Sequence, residues 1–316
     1  MANRIRGILA PVVTPFNADL KPDARRFVEH CKWLVSNHAG LAIFGTNSEA
    51  NSLSTGERIS MLDALVAAGA DPALMMPGTG CCALTDTVEL TRHAVETGCA
   101  GVLMLPPFFY KGLSDDGLYR SYSEVIQRVG NSELRVYLYH IPPVAQVPVT
   151  PGVIERLLRA YPGTVAGIKD SSGDWQHTEM LLKNFQSDRF DVFCGSEVFL
   201  LQNMRGGGAG SITATGNVNP AMIHDLFMNW QASDADAKQA RITQIRRAFE
   251  TIPLIPSMKA VIAWKRNDPQ WAEVRPPLMS AAKDKLAELR DKLNEIGYQM
   301  KVLFLACAAK NSASLR

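Results

Sequence analysis

Two kinds of stretch take turns along this chain. Short, nearly continuous apolar runs lie at 7–16, 41–44, 74–77, 101–105, 136–139, 165–169, 191–194 and 210–213. Runs of this length without polar alternation predict strands covered on both faces. Between them apolar residues recur at helical spacing, as in Phe27, Cys31, Leu34 and Val35, or Leu118, Tyr122, Val125 and Val129. Further helices are expected over 85–97, 150–160, 179–185 and 198–204. Ser54 and Glu57 stand three apart, ahead of Ile59, Leu62 and Val66, as a capping box would. Eight strands alternating with helices predict a parallel sheet. That count favours an α/β fold of the closed (β/α)8 TIM-barrel type over an open doubly wound sheet.

Beyond residue 219 the strand pattern stops. Ile223, Leu226, Phe227 and Trp230 mark one helix, Ile242, Ile245 and Phe249 a second, and Leu286, Leu289, Leu293 and Ile296 a last one. The expected organisation is a barrel over 1–218, a C-terminal helical extension packed on it over 219–300, and a tail over 301–316 with no functional reading. The chain has 316 residues, which suits one barrel of about 250 residues with an appendage.

Composition narrows the chemistry. A formal net charge of +2 gives no footprint for nucleic acid, and no apolar run is long enough to span a membrane. Six cysteines without CxxC spacing, and no signal-peptide pattern, predict reduced thiols in a cytoplasmic protein. Six scattered histidines, with no His-x-His, argue against a metal site. No Gly-x-Gly-x-x-Gly follows a strand, so no dinucleotide is expected, and 206–208 read as a turn into the last strand. No cofactor is predicted.

Lys169 ends the sixth run, and Asp170 is expected to break it. Alternation places Val165, Gly167 and Lys169 on one face and Ala166 and Ile168 on the other, with the glycine leaving room for a ligand. An ammonium withdrawn from water loses hydration energy and its pKa falls, which populates the amine that attacks a carbonyl. A lysine at a strand end is by itself more often a snorkelling side chain, so the other strand ends must decide. Barrels take their reacting groups from those ends. Thr46 follows the second run, on the face of Ala42 and Phe44. Tyr139 ends the fifth, a phenol able to act as general acid and base on a carbinolamine.

The ordered set Thr14-Pro15-Phe16, Gly45-Thr46 with Glu49, Gly78-Thr79-Gly80, Tyr139 with Pro142, and Gly167-Ile168-Lys169 resembles the dihydrodipicolinate synthase and N-acetylneuraminate lyase family of pyruvate-type class I aldolases, from about residue 5 to about 298. The resemblance implies a homotetramer acting on a 2-oxo acid such as pyruvate, with an aldehyde as second substrate. Lys169 would be the Schiff-base nucleophile, Tyr139 the proton donor and acceptor, and Thr46 the hydroxyl linking that phenol to solvent or to a neighbouring subunit's tyrosine, for which Tyr110 is the candidate. The main-chain amides of Thr46 and Asn47 would hold the 2-oxo acid carboxylate, and Gly195 and Ile212 would line the pocket.

The chain departs from that pattern at Asn47, where a hydroxyl is usual, at Ser48, where glycine is usual, and at Val144, where lysine-pathway synthases carry an arginine for the aldehyde's carboxylate. A charge-assisted bond is worth about 1.5–3 kcal/mol, so Val144 argues against true dihydrodipicolinate synthase activity. His140 and Gln146 are candidates for the distal part of the second substrate, although His140 reads more plainly as bonded to a loop carbonyl. Two alternatives stay open: a dehydratase or deaminase of 2-keto-3-deoxy sugar acids through the same imine, and a catalytically silent binding or regulatory barrel.

Overall fold

The computed structural model describes residues 4–300. The tail over 301–316, with Cys307, lies outside them. Seven strands form one parallel sheet: β1 (Gly7–Ala10), β2 (Gly40–Leu41), β3 (Val102–Met104), β4 (Val136–His140), β5 (Val165–Asp170), β6 (Asp191–Cys194) and β7 (Gly210–Ile212). Helices α1 (Ala24–Ser36), α2 (Thr55–Ala67), α3 (Leu84–Glu96), α4 (Asp115–Val129), α5 (Pro142–Ala145), α6 (Pro151–Ala160), α7 (Trp175–Phe185) and α8 (Leu200–Arg205) fall between or after them. The expected capping box opens α2, with Ser54 and Glu57 each accepting the other's backbone N–H.

The strand order is β2-β1-β7-β6-β5-β4-β3, and its two outer members are joined through residues 75–79. Met76 N–H donates to the Leu41 carbonyl at 2.8 Å, Gly78 N–H to Ile43 at 2.7 Å, and Leu103 N–H to Pro77 at 2.9 Å. The expected third strand is thus in place as a segment of isolated bridges, Leu41↔Met75 and Gly78↔Leu103. Pro77 has no N–H to give a ladder. At Gly78 a Cβ would lie 2.2 Å from the Phe44 carbonyl oxygen, so only glycine permits this approach. The second strand, expected to reach Phe44, ends at Leu41, and Phe44 turns out of extended conformation with φ 58°. The result is a curled, TIM-like sheet of seven regular strands with an irregular eighth segment.

Inside the curl pack Leu9, Met76, Leu103, Tyr137, Tyr139, Phe193 and Ile212. Four more helices follow β7: α9 (Pro220–Met228), α10 (Ala235–Phe249), α11 (Leu254–Arg266) and α12 (Lys283–Glu295). Ile245, Phe249, Met258, Val261, Leu289 and Leu293 from the last three share one buried cluster with Val12, Val13, Phe16 and Phe27. Burying each such side chain contributes about 1.5–3 kcal/mol, and these helices therefore share the core beside the strands. Among the described residues no helix is long and apolar enough to cross a membrane.

Strand β5 corrects three expectations. It runs through Asp170, whose backbone pairs opposite His140 and Cys194. A register shift opposite Val136 and Tyr137 breaks the simple alternation. Val165 joins Ile168 in the outer cluster and Ala166 turns inward, as one extra residue in a strand requires. The space beside Gly167 is also taken: a Cβ there would lie 2.4 Å from the Asp191 carbonyl oxygen and 2.7 Å from the Tyr137 ring. The glycine admits a neighbouring side chain, with no room left for a ligand.

Two histidines are buried by this packing. His30 stacks on Trp33 and meets Trp271 edge-on, and burial pushes its pKa down to about 3. His140 is pushed down to about 4, chiefly by burial. A base whose folded pKa lies below its unfolded value of about 6.5 is proton-poor in the native state, so stability falls as pH drops below that value. The thermal midpoint should rise with pH between about 5 and 6, and His140→Gln should remove a large share of that slope in melts followed by circular dichroism. An unchanged slope would mean that His140 titrates alike in both states. Gly167→Ala, which forces a Cβ into the Tyr137 ring, should lower stability by about 1–3 kcal/mol in urea titrations.

Candidate active site

Strands β4 and β5 lie side by side with Tyr139 opposite Lys169 and His140 opposite Asp170. Paired residues on parallel strands point to the same side, so the first pair faces into the curl and the second away from it. Lys169 is 3% exposed. Its Nζ lies 3.2 Å from the Tyr139 hydroxyl and 4.2 Å from the centroid of that ring. Thr46 Oγ1 stands 3.4 Å from the same hydroxyl. An amine, a phenol and an alcohol thus form one line of polar groups within an apolar ring. Burial would raise the phenol's pKa, but the neighbouring Lys169 charge and hydrogen bonds with Thr46, Lys169 and Ser171 outweigh it and hold it below the usual value.

Thr46 is placed by a tight turn, Thr46–Ser48, at the end of the β2 run. Ser48 explains its own departure from glycine: its Oγ accepts the Gly45 N–H at 3.2 Å, and its carbonyl accepts from Thr14 Oγ1 at 2.7 Å. Glu49 follows in left-handed conformation with φ 56°. Its carboxylate accepts from Lys259 Nζ of α11 at 2.7 Å and from the Arg275 N–H at 2.9 Å. Lys259 is fully buried, and burial lowers its pKa against the opposing pull of Glu49. Glu49 is therefore a strut for the turn that carries Thr46, reached from more than 200 residues away.

A cavity of about 340 Å³ opens on these groups. Thr46, Asn47, Tyr139, Val144, Lys169 and Gly195, all expected from the sequence, line it, together with Asp170, Ser171, Ser196, Ala214, Arg246, Arg247 and Glu250. Ile212 does not. It packs inside the ring with Tyr139, and Ala214, two residues on, lines the cavity in its place. His140 also stands apart from the lining. Its Nδ1 accepts the Val149 N–H at 3.1 Å, a loop amide where a carbonyl was expected, and its ring stacks on His177 at 4.4 Å. Gln146 is the exposed, left-handed residue that ends α5. Tyr110 is 71% exposed, edge-on to Phe109, outside the lining that this chain supplies.

Behind the cavity, Asp170 accepts from Thr178 Oγ1 at 2.6 Å and from Ser172 N–H and Oγ, each at 3.0 Å, with His177 Nδ1 at 3.2 Å. Burial opposes ionisation of this carboxyl, but His177 and the hydroxyl and amide donors prevail and lower its pKa. Asp170 in turn raises that of His177. His140, Asp170 and His177 bring ligand atoms within 4.8 Å of one another. Because His140 Nδ1 already accepts an amide hydrogen, the neutral ring carries its proton on Nε2. That set is arranged for hydrogen bonding rather than to hold a metal ion.

The sequence reading missed a second buried group. Glu197, fully buried after β6, accepts from the hydroxyls of Thr213 and Thr215 and pairs with Arg246 at 3.3 Å. Arg246 also donates Nε to Glu250 at 2.8 Å. These residues tie the ends of β6 and β7 to α10. Glu197 stands 16 to 49 positions from Thr213, Thr215 and Arg246 in the chain, so no local motif signals the group.

The model of the dihydrodipicolinate synthetase family matches residues 4–296. An uncharacterized DapA-like lyase of Chloroflexus aurantiacus is 35% identical over 289 residues, covering 90% of this chain and 95% of that one. The crystal structure of dihydrodipicolinate synthase from Agrobacterium tumefaciens superimposes with a TM-score of 0.85 at 28% identity, covering 92% of this chain and 99% of that one. A prophage protein of the dihydrodipicolinic acid synthase family from E. coli, solved in complex with pyruvate, gives 0.84 at 25% identity, with 93% and 99% covered. The match over nearly the whole chain makes this protein a member of the dihydrodipicolinate synthetase family, whose relatives are lyases.

Proposed function

We propose that this chain is a class I lyase or aldolase that forms a Schiff base with pyruvate or a related 2-oxo acid. The observation that carries the reading is a buried Lys169 Nζ 3.2 Å from the Tyr139 hydroxyl, at the mouth of a cavity. The uncharged amine of Lys169 attacks the ketone carbon, and the Tyr139 phenol protonates the carbinolamine oxygen so that it leaves as water. The phenol stands within hydrogen-bond reach of both Lys169 Nζ and Thr46 Oγ1, which places its proton at the reacting atoms. The resulting iminium draws electrons from the adjacent carbon, where a C–C bond is made or cleaved. Thr46 Oγ1 passes the proton on. A tight turn leaves its first N–H groups without partners inside it, so the amides of Thr46 and Asn47 are suited to the 2-oxo carboxylate.

In this reading the barrel over 1–218 carries the chemistry, the helices over 219–300 form an extension, and the enzyme works as a cytoplasmic homotetramer without a cofactor. A neighbouring subunit's Tyr110, exposed on the isolated chain, would complete the proton relay, since Asn47 cannot relay a proton as a hydroxyl does. Val144 offers no carboxylate clamp on the α5 wall, which sets the chain apart from true dihydrodipicolinate synthases. The same imine also serves dehydration or deamination of a 2-keto-3-deoxy sugar acid.

Incubation with pyruvate and borohydride should add one reduced pyruvate per chain by intact mass. Lys169→Ala should abolish that adduct while far-UV circular dichroism stays unchanged. Absence of an adduct with any 2-oxo acid would leave a silent binding barrel as the better account. Tyr139→Phe should slow turnover by about two to four orders of magnitude, and a fully active variant would show that another group carries the proton.

A further inference from the structure

The cavity over Lys169 has two unlike walls. Ile141 and Val144 give an apolar surface beside α5, and α10 faces the same cavity with Arg246, Arg247 and Glu250. The two arginines differ in their freedom. Arg246 is 8% exposed and held at both ends, by Glu197 at 3.3 Å and Glu250 at 2.8 Å. Pulling it from a buried pair would leave Glu197 uncompensated. Arg247 has a side chain 65% exposed and one partner, Glu250 Oε2, reached through NH1 at 2.7 Å. Its other guanidinium nitrogens make no hydrogen bond among the described residues. An exposed ion pair of this kind contributes little and breaks easily, and a guanidinium fork matches a carboxylate bidentately.

We propose that Arg247 determines specificity for the second substrate by binding a carboxylate at its far end, supplying from α10 the clamp that Val144 cannot supply from α5. The inference rests on the Schiff-base reading of Lys169. It names the substrate class: an aldehyde that carries a distal carboxylate, giving a 2-oxo diacid skeleton once joined to pyruvate. Glu250 competes for the same guanidinium, so it weakens binding of the anion.

Borohydride trapping of 2-oxo acids reads this without knowledge of the natural aldehyde. The probes are 2-oxoglutarate, 2-oxoadipate and 2-oxopimelate, each set against the monoacid of equal chain length, with pyruvate as reference. In the unaltered enzyme at least one diacid should half-saturate trapping at a concentration about 10-fold or more below its monoacid. Arg247→Gln should erase that preference and leave pyruvate trapping unchanged, which also reports an intact fold. Arg247→Lys should restore part of it, and Glu250→Gln should enlarge it. No preference for any diacid, or a preference that survives Arg247→Gln, overturns the assignment of Arg247 while the lysine chemistry stands. No adduct with pyruvate or with any of the other 2-oxo acids overturns the lysine chemistry and this inference together.

Discussion

The site depends on a register. Two parallel strands, β4 and β5, are paired so that Tyr139 stands opposite Lys169, and this brings an amine and a phenol to 3.2 Å inside an apolar ring. A slip of β5 by one residue against β4 would turn Lys169 to the other face, away from Tyr139. The register is held against that slip by a bulge at its beginning, where Ala166 turns inward, and by close packing of Tyr137 into the space over Gly167. The bulge lies at the start of β5 and Gly167 two residues before the lysine whose facing they set.

Around that pair, buried charges hold the loops. Glu49 with Lys259 fixes the turn that carries Thr46, and Glu197 with Arg246 fixes the ends of β6 and β7. Buried pairs contribute little net stability, but removing one partner costs about 3–5 kcal/mol, because the other is left uncompensated. Such pairs select one arrangement of loops over others. Both reach from the strand ends to helices that follow β7, so α10 and α11 take part in the site. The Asp170 and His177 pair performs the same service behind β5 and draws His177 against the ring of His140.

Much of this was legible in the order of residues. Continuous apolar runs and three-four spacing marked the strands and helices because burial on both faces, or on one stripe, leaves a periodic trace. Lys169, Tyr139 and Thr46 were legible because barrel chemistry sits at strand ends, and strand ends can be counted. Regularity was overestimated at 75–79, where Pro77 and the close approach at Gly78 replace a ladder by isolated bridges. Ile212 packs inside the ring where a pocket-lining place was expected, for a related reason: which of two neighbouring residues faces a cavity depends on local bend and bulge, to which hydrophobicity is blind.

By itself, then, the sequence determined the alternating parallel architecture, the family, and the identity of the amine and phenol that meet, since each leaves a local mark in type or spacing. Only the tertiary structure decided the partners of Glu49 and Glu197 and the placing of Arg247 on the cavity wall. Those are contacts between residues distant along the chain, and they are chosen by the packing of helices on the strand ring, which no short stretch of residues encodes.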